Sequence, residues 1–140
     1  PIQLLSSEAH QGPYYPAVDI AVPQPEQKQT IIYAPASGVV QKLVMKHTEW
    51  GTGPEAEKWL NFIHVGLGTE FYQLAHLAPL EGIPLEPGDE IKQGQPIAQA
   101  AINGWMSATE GVPDAHVHMF VGRAVPQNSF QGLKIKWKRN

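Results

Sequence analysis

The stretch TIIYAPASGVVQKLVMK, Thr30 to Lys46, decides the class of fold. Its two runs, Thr30 to Ala34 and Val39 to Lys46, are rich in the β-branched and aromatic residues that suit a pleated surface. Pro35-Ala-Ser-Gly38 between them is a turn-compatible break. The two runs read as a pair of successive strands.

The same grammar continues outward. Upstream, Val22 to Gln29 is a polar, Pro-punctuated segment that reads as a surface loop. Downstream, the polar and Gly-rich stretch His47 to Lys58 gives way to Trp59 to Val65 and Glu70 to Leu77, with Gly66-Leu-Gly68 between them, which predicts a second hairpin. Pro87 to Gly94 and Gln95 to Ala101 predict a turn, a short strand, a second turn and another strand. His116 to Val121 reads as a strand. At the C-terminus, Leu133, Ile135 and Trp137 alternate with Lys134, Lys136 and Lys138, a period of two that predicts a strand over about 133–137 with one wet face.

Thirteen Gly and thirteen Pro interrupt the chain so often that no amphipathic helix of three or four turns can be placed. The expected fold is all-β, with mainly antiparallel sheets and long loops. No internal repeat and no linker divides the 140 residues, so a single domain is expected over 1–140.

Composition excludes several classes of function. Hydrophobic residues make up 42% and charged residues 16%, which is not the balance of a disordered segment. The net charge is -3 and the ten Lys and Arg are scattered, apart from Lys134, Lys136, Lys138 and Arg139, so nucleic acid is not an expected partner. No apolar stretch reaches transmembrane length and no signal peptide is present; because residue 1 is Pro, a processed or trimmed chain is expected. Without cysteine, any metal site must be built from His, Asp and Glu.

Six histidines are present, and two of them form His116-Val-His118 in an expected strand. Side chains alternate across a strand, so these imidazoles leave the same face about 6.5–7 Å apart, a separation that suits one ligand beside one general base. His76 closes the strand that ends Gln73-Leu-Ala-His-Leu77, and His10 and Asp19 flank an irregular N-terminal loop. His47 and His64 read as surface or packing residues, and Trp50, Trp59 and Trp105 stand in or beside loops able to flank a groove.

The order His10, Asp19, Ala75-His76-Leu77, then His116-Val-His118 resembles that of the lysostaphin-like, or LytM-like, zinc metallopeptidases that cut peptidoglycan, a family that includes staphylolysin-type elastolytic enzymes. Tyr33 to Val40 is similar to the family's V-x-A-x-x-x-G-x-V strand pair, and Pro87 to Gln95 to its G-D-x-V-x-x-G-Q turn. The resemblance spans about residues 10 to 121. It implies a lysostaphin-type peptidase domain, related to the barrel-sandwich hybrids, with one Zn2+ per chain held by His10, Asp19 and His118.

The resemblance also places His76 and His116 beside the zinc-bound water as the catalytic pair. Three protein ligands leave zinc a fourth position for water and acidify that water to a pKa of about 7. Either histidine can be the base and the other the transition-state donor. A structural zinc would need neither, which favours catalysis. Eight residues separate His10 from Asp19, more than the three usual in the family, and Val112-Pro-Asp-Ala115 stands where Thr-Gly-Pro is usual before His-x-His. Leu4 and Leu5 stand where some members carry an assisting tyrosine, for which Tyr14 or Tyr15 is the substitute.

The resemblance therefore implies a zinc endopeptidase acting on peptidoglycan, in a cross-bridge or stem peptide, or on Gly-rich peptides, in an extracytoplasmic setting. The alternative is a non-catalytic wall-binding or regulatory module of the same fold. Loops at residues 12–18, 47–58 and 103–114 are expected to border the site. Oligomeric state is not legible from these residues.

Overall fold

The computed structural model describes residues 4–5, 10, 14, 16–22, 30–126 and 129–136. The expected loop at 23–29, Tyr15, Trp137 and the basic residues after it lie outside this set. The strands in chain order are β1 (Leu4–Leu5), β2 (Val18–Ala21), β3 (Ile31–Tyr33), β4 (Gly38–Val44), β5 (Trp50–Gly51), β6 (Phe62–Leu67), β7 (Glu70–Ala75) and β8 (Leu77–Ala78). They continue with β9 (Glu90–Ile91), β10 (Pro96–Ala100), β11 (Gly104–Trp105), β12 (Ala108–Thr109), β13 (Val112–Pro113), β14 (His116–Val125) and β15 (Ser129–Leu133). The longest described helix is a 3-10 segment of six residues, Pro54–Trp59.

The centre of the molecule is the β6–β7 hairpin, registered from Phe62 opposite Ala75 to Leu67 opposite Glu70. Its turn, Gly68-Thr69, needs a left-handed residue, and Gly68 supplies it with φ 79 at no steric cost. On one edge β14 pairs antiparallel with β7, and the other edge of β14 is shared by β2 at its start and β15 at its end. On the opposite side β4 pairs with β6, and β9 with β4. The result is an eight-stranded antiparallel sheet, accompanied by a three-stranded sheet in the order β3-β10-β8. The two-stranded β5–β11 ladder is the parallel exception.

Strand periodicity gives the large sheet two distinct faces. Ile63, Val65, Tyr72, Leu74, Val117 and Met119 occupy one face and join Ala34, Leu77, Ile97 and Ala98 from the small sheet in a continuous core. The other face carries, in register across neighbouring strands, Asp19, His118 and Ala75, then Phe120, Gln73 and His64. One face of this sheet makes the fold stable, and the other is free to carry chemistry.

Two details depart from the pattern expected locally. β3 and β4 do not pair with each other: β3 joins β10, whereas β4 lies between β6 and β9. The break at Pro35–Ser37 passes the chain from the small sheet to the large one, where Gly38 lies so close to β6 that a Cβ would meet the Gly66 carbonyl oxygen and the Val65 and Leu67 side chains. The C-terminal strand runs Ser129–Leu133 rather than over 133–137, and residues 134–136 lie outside any strand. Its place is set by the tight return from β14, which puts Val125 opposite Ser129 and leaves alternation further along without a partner strand.

Candidate metal centre

β14 and β2 build the centre. Their register puts His118 directly opposite Asp19, so both side chains leave the non-core face, and His116 follows on that face two residues earlier. His10, distant in sequence, completes the group. His10 Nε2 lies 3.2 Å from Asp19 Oδ1 and 3.2 Å from His118 Nδ1, and His118 Nδ1 lies 3.0 Å from Asp19 Oδ1. These three residues form a group able to hold a metal ion.

The triangle has the right size. A tetrahedral ion bonded at about 2.0–2.1 Å to nitrogen and oxygen has ligand–ligand edges of roughly 3.3 Å, close to the separations found here. Protonation is also suitable. Burial holds the His10 imidazole below its ordinary pKa, against the attraction of Asp19. Burial works to raise the Asp19 carboxyl, but contact with His118 and the fields of His116, His118 and His10 prevail and hold it below the usual carboxylate range. An ionised carboxylate and a neutral imidazole are the forms that donate lone pairs to a cation.

The other two histidines stand beside this triangle. The His76 and His116 rings meet edge to face with centroids 4.4 Å apart, and the His76 ring lies 6.5 Å from that of His118. Each spends one nitrogen on a backbone carbonyl: His116 Nδ1–H donates to Asp114 at 2.8 Å, and His76 Nδ1–H to Asn103 at 2.7 Å. A carbonyl accepts only, so the proton is on Nδ1 in both rings and each neutral imidazole keeps a bare Nε2. Burial, reinforced by His116, pushes the His76 pKa down to about 3. His116 Nε2 lies 3.8 Å from Asp19 Oδ1, next to the triangle.

A cleft of about 160 Å³ opens beside the centre, lined by Tyr14, Glu57, Leu60, Gln73, Ala75, His76, Trp105 and His118. Each loop expected to border the site contributes: Tyr14 from 12–18, Glu57 from 47–58 and Trp105 from 103–114. Trp105 is fixed by its indole N–H, which donates to the Thr52 carbonyl, and the β5–β11 ladder ties the second loop to the third. Tyr14 packs on Phe120 and Phe130, and burial, followed by Glu57, raises its hydroxyl pKa. His64 stacks on Phe71, and the His47 ring stands 4.0 Å from Glu49; neither lines the cleft.

Asn61 and Asn103, both 1% exposed, received no role from the sequence. Asn103-Gly reads as an ordinary turn, and Asn61 is a lone amide between Leu60 and Phe62. A polar residue placed inside an apolar run is the one local signal either offers.

No protein-family model and no curated protein sequence matches the chain. Solved structures do. A mutant of the catalytic domain of the prophage-encoded M23 protein EnpA from Enterococcus faecalis superposes with a TM-score of 0.60 at 19% identity, over 96% of this chain and 88% of that one. The catalytic domain of the antimicrobial peptidase lysostaphin from Staphylococcus simulans matches with a TM-score of 0.55 at 18% identity, over 85% of this chain and 74% of that one. A third match is CbpA from L. salivarius REN, with a TM-score of 0.51 at 16% identity, over 85% and 69% of the two chains. The fold is that of the M23 peptidase catalytic domains.

Proposed function

We propose that this chain is a zinc-dependent endopeptidase that hydrolyses peptide bonds of bacterial cell-wall peptidoglycan, in a cross-bridge or stem peptide, or of Gly-rich peptides, outside the cytoplasm. The observation that carries the proposal is the pairing of a three-donor group, His10, Asp19 and His118, with two further imidazoles whose bare Nε2 atoms are left to the same site. Three donors leave a metal ion an open position, and two spare bases have no use at a purely structural ion. The substrate class is the one implied by the resemblance in sequence, and the likeness in fold to lysostaphin, an antimicrobial peptidase, supports it.

When bound, zinc supplies a Lewis acid that acidifies water and polarises the scissile carbonyl. The protein does the rest. His116, whose Nδ1–H is committed to Asp114 and whose Nε2 stands beside Asp19, accepts the proton of the attacking water, and His76 across the ring contact stabilises charge developing on the carbonyl oxygen. Because its Nδ1–H is committed to Asn103, His76 donates to that oxygen from Nε2 only once Nε2 carries the proton given up by the attacking water, passed on from His116 across the ring contact. The two histidines can exchange these duties in successive proton transfers. The cleft alongside, with Tyr14, Leu60 and Trp105 on its walls, receives the peptide.

Two measurements test the proposal. Protein purified without chelator carries about one zinc per chain, and it releases new peptide amino groups from peptidoglycan or from an oligoglycine peptide. Metal-free protein that binds wall material without cutting it is instead a wall-binding module.

A further inference from the structure

His76 occupies the point at which the chain leaves one sheet for the other. Ala75 before it pairs with His118 and Phe62 in the large sheet, and Leu77 after it pairs with Ala100 in the small one. The corner is made by a left-handed backbone, φ 64, a conformation that a His side chain rarely adopts. Strain of this kind persists only where the surroundings over-determine it. Here they do so through two buried amides.

The His76 N–H donates to the Asn61 carbonyl at 3.0 Å, and the His76 carbonyl accepts from the Ala101 N–H at 2.9 Å. The Leu77 carbonyl accepts both carboxamides, Asn61 Nδ2 at 2.9 Å and Asn103 Nδ2 at 3.0 Å. The two asparagines are joined, the Asn61 N–H donating to Asn103 Oδ1 at 2.8 Å. Asn61 also grips the His47 backbone, donating from Nδ2 to its carbonyl and accepting its N–H at Oδ1, each at 2.9 Å. The Asn103 carbonyl then takes the His76 ring proton at 2.7 Å. Every polar atom of the Asn61 carboxamide is used, and neither asparagine lines the cleft.

We propose that Asn61 and Asn103 are positioning residues for the reaction proposed above, acting through His76. Together they hold the strained corner, keep the His76 proton on Nδ1 and aim its bare Nε2 at the metal centre. The inference rests on that functional reading for its kinetic consequence, but the state of the His76 ring can be observed without turnover. Asn103→Ala removes the donor to Leu77 and the acceptor of the Asn61 N–H. Asn103→Leu removes the same donor and acceptor without leaving a cavity or adding a charge, so it serves where the alanine variant does not fold.

The experiment makes each substitution in the wild-type and His76→Ala backgrounds, on zinc-loaded protein. It measures zinc per chain, kcat and KM on an oligoglycine or peptidoglycan substrate, and the ring tautomer of His76 from nitrogen-15 spectra. The expected result is unchanged zinc and KM, kcat lower by on the order of 10²-fold as for a misplaced catalytic group, and a His76 ring no longer confined to the Nδ1–H tautomer. In the His76→Ala background the same substitution costs no further rate. An equal loss in that background, a loss of zinc in step with rate, or a ring that keeps the single tautomer would overturn the inference. A wild-type protein that cuts no peptide refutes the endopeptidase, and the tautomer still decides the role of the asparagines.

Discussion

Acid should destabilise the metal-free protein through His76, by an amount that follows from its burial. The unfolded imidazole titrates near its ordinary value of 6.5, whereas the folded one, 5% exposed and facing His116, His118 and Asp19, titrates at about 3. Between those values the unfolded chain holds one proton more than the folded chain, so stability is complete above pH 6.5 and falls as pH drops through it. The slope approaches about 1.4 kcal/mol per pH unit, which gives a loss of about 2 kcal/mol between roughly pH 7.5 and pH 5. Any folded value well below 5 gives the same loss, because only the unfolded imidazole titrates in that window. His10, also held below its ordinary value by burial, adds in the same direction, and Asp19 acts only at lower pH, where its own proton returns. Urea unfolding of chelator-treated protein measures the effect, and at a slope of about 2 kcal/mol per molar the midpoint should fall by roughly 1 M. His76→Asn is the control, since asparagine tolerates a left-handed backbone and does not titrate. If wild type and His76→Asn lose the same stability over this interval, His76 is not the buried neutral imidazole described here.

Three further outcomes are expected. Alanine at His10, Asp19 or His118 should remove zinc and activity together, whereas His116→Ala and His76→Ala should keep zinc and lose about 10²-fold to 10⁴-fold in rate, with metal analysis and turnover measured on each variant; zinc lost from His116→Ala but kept by His118→Ala would reverse the two roles. Trp105→Ala, at the cleft wall, should raise KM with little change in zinc content, and an unchanged KM would place the peptide elsewhere. Gly38→Ala should destabilise by about 1–3 kcal/mol, because its Cβ would run into the Gly66 backbone carbonyl oxygen, and urea midpoints within error of wild type would contradict that contact.

By itself the sequence determined what is local. Alternation and Gly or Pro punctuation marked strands at Thr30 to Ala34, Val39 to Lys46, Trp59 to Val65, Glu70 to Leu77 and Gln95 to Ala101, which overlap β3, β4, β6, β7 and β10 with ends displaced by up to three residues, because side-chain period and turn chemistry are properties of neighbours along the chain. The same period put His116 and His118 on one face before any partner strand was known, whereas His10 and Asp19 were singled out only by the family resemblance in residue order. The tertiary structure alone decided what depends on distant partners. It placed β3 and β4 in different sheets, moved the last strand back to Ser129–Leu133 and brought His10 to within 3.2 Å of His118. It also enlisted two asparagines, which carry no sequence mark of function, around a histidine bent into left-handed geometry. Which proton the buried His76 imidazole keeps follows from the Asn103 carbonyl, a partner distant in sequence that only a packed interior puts within reach.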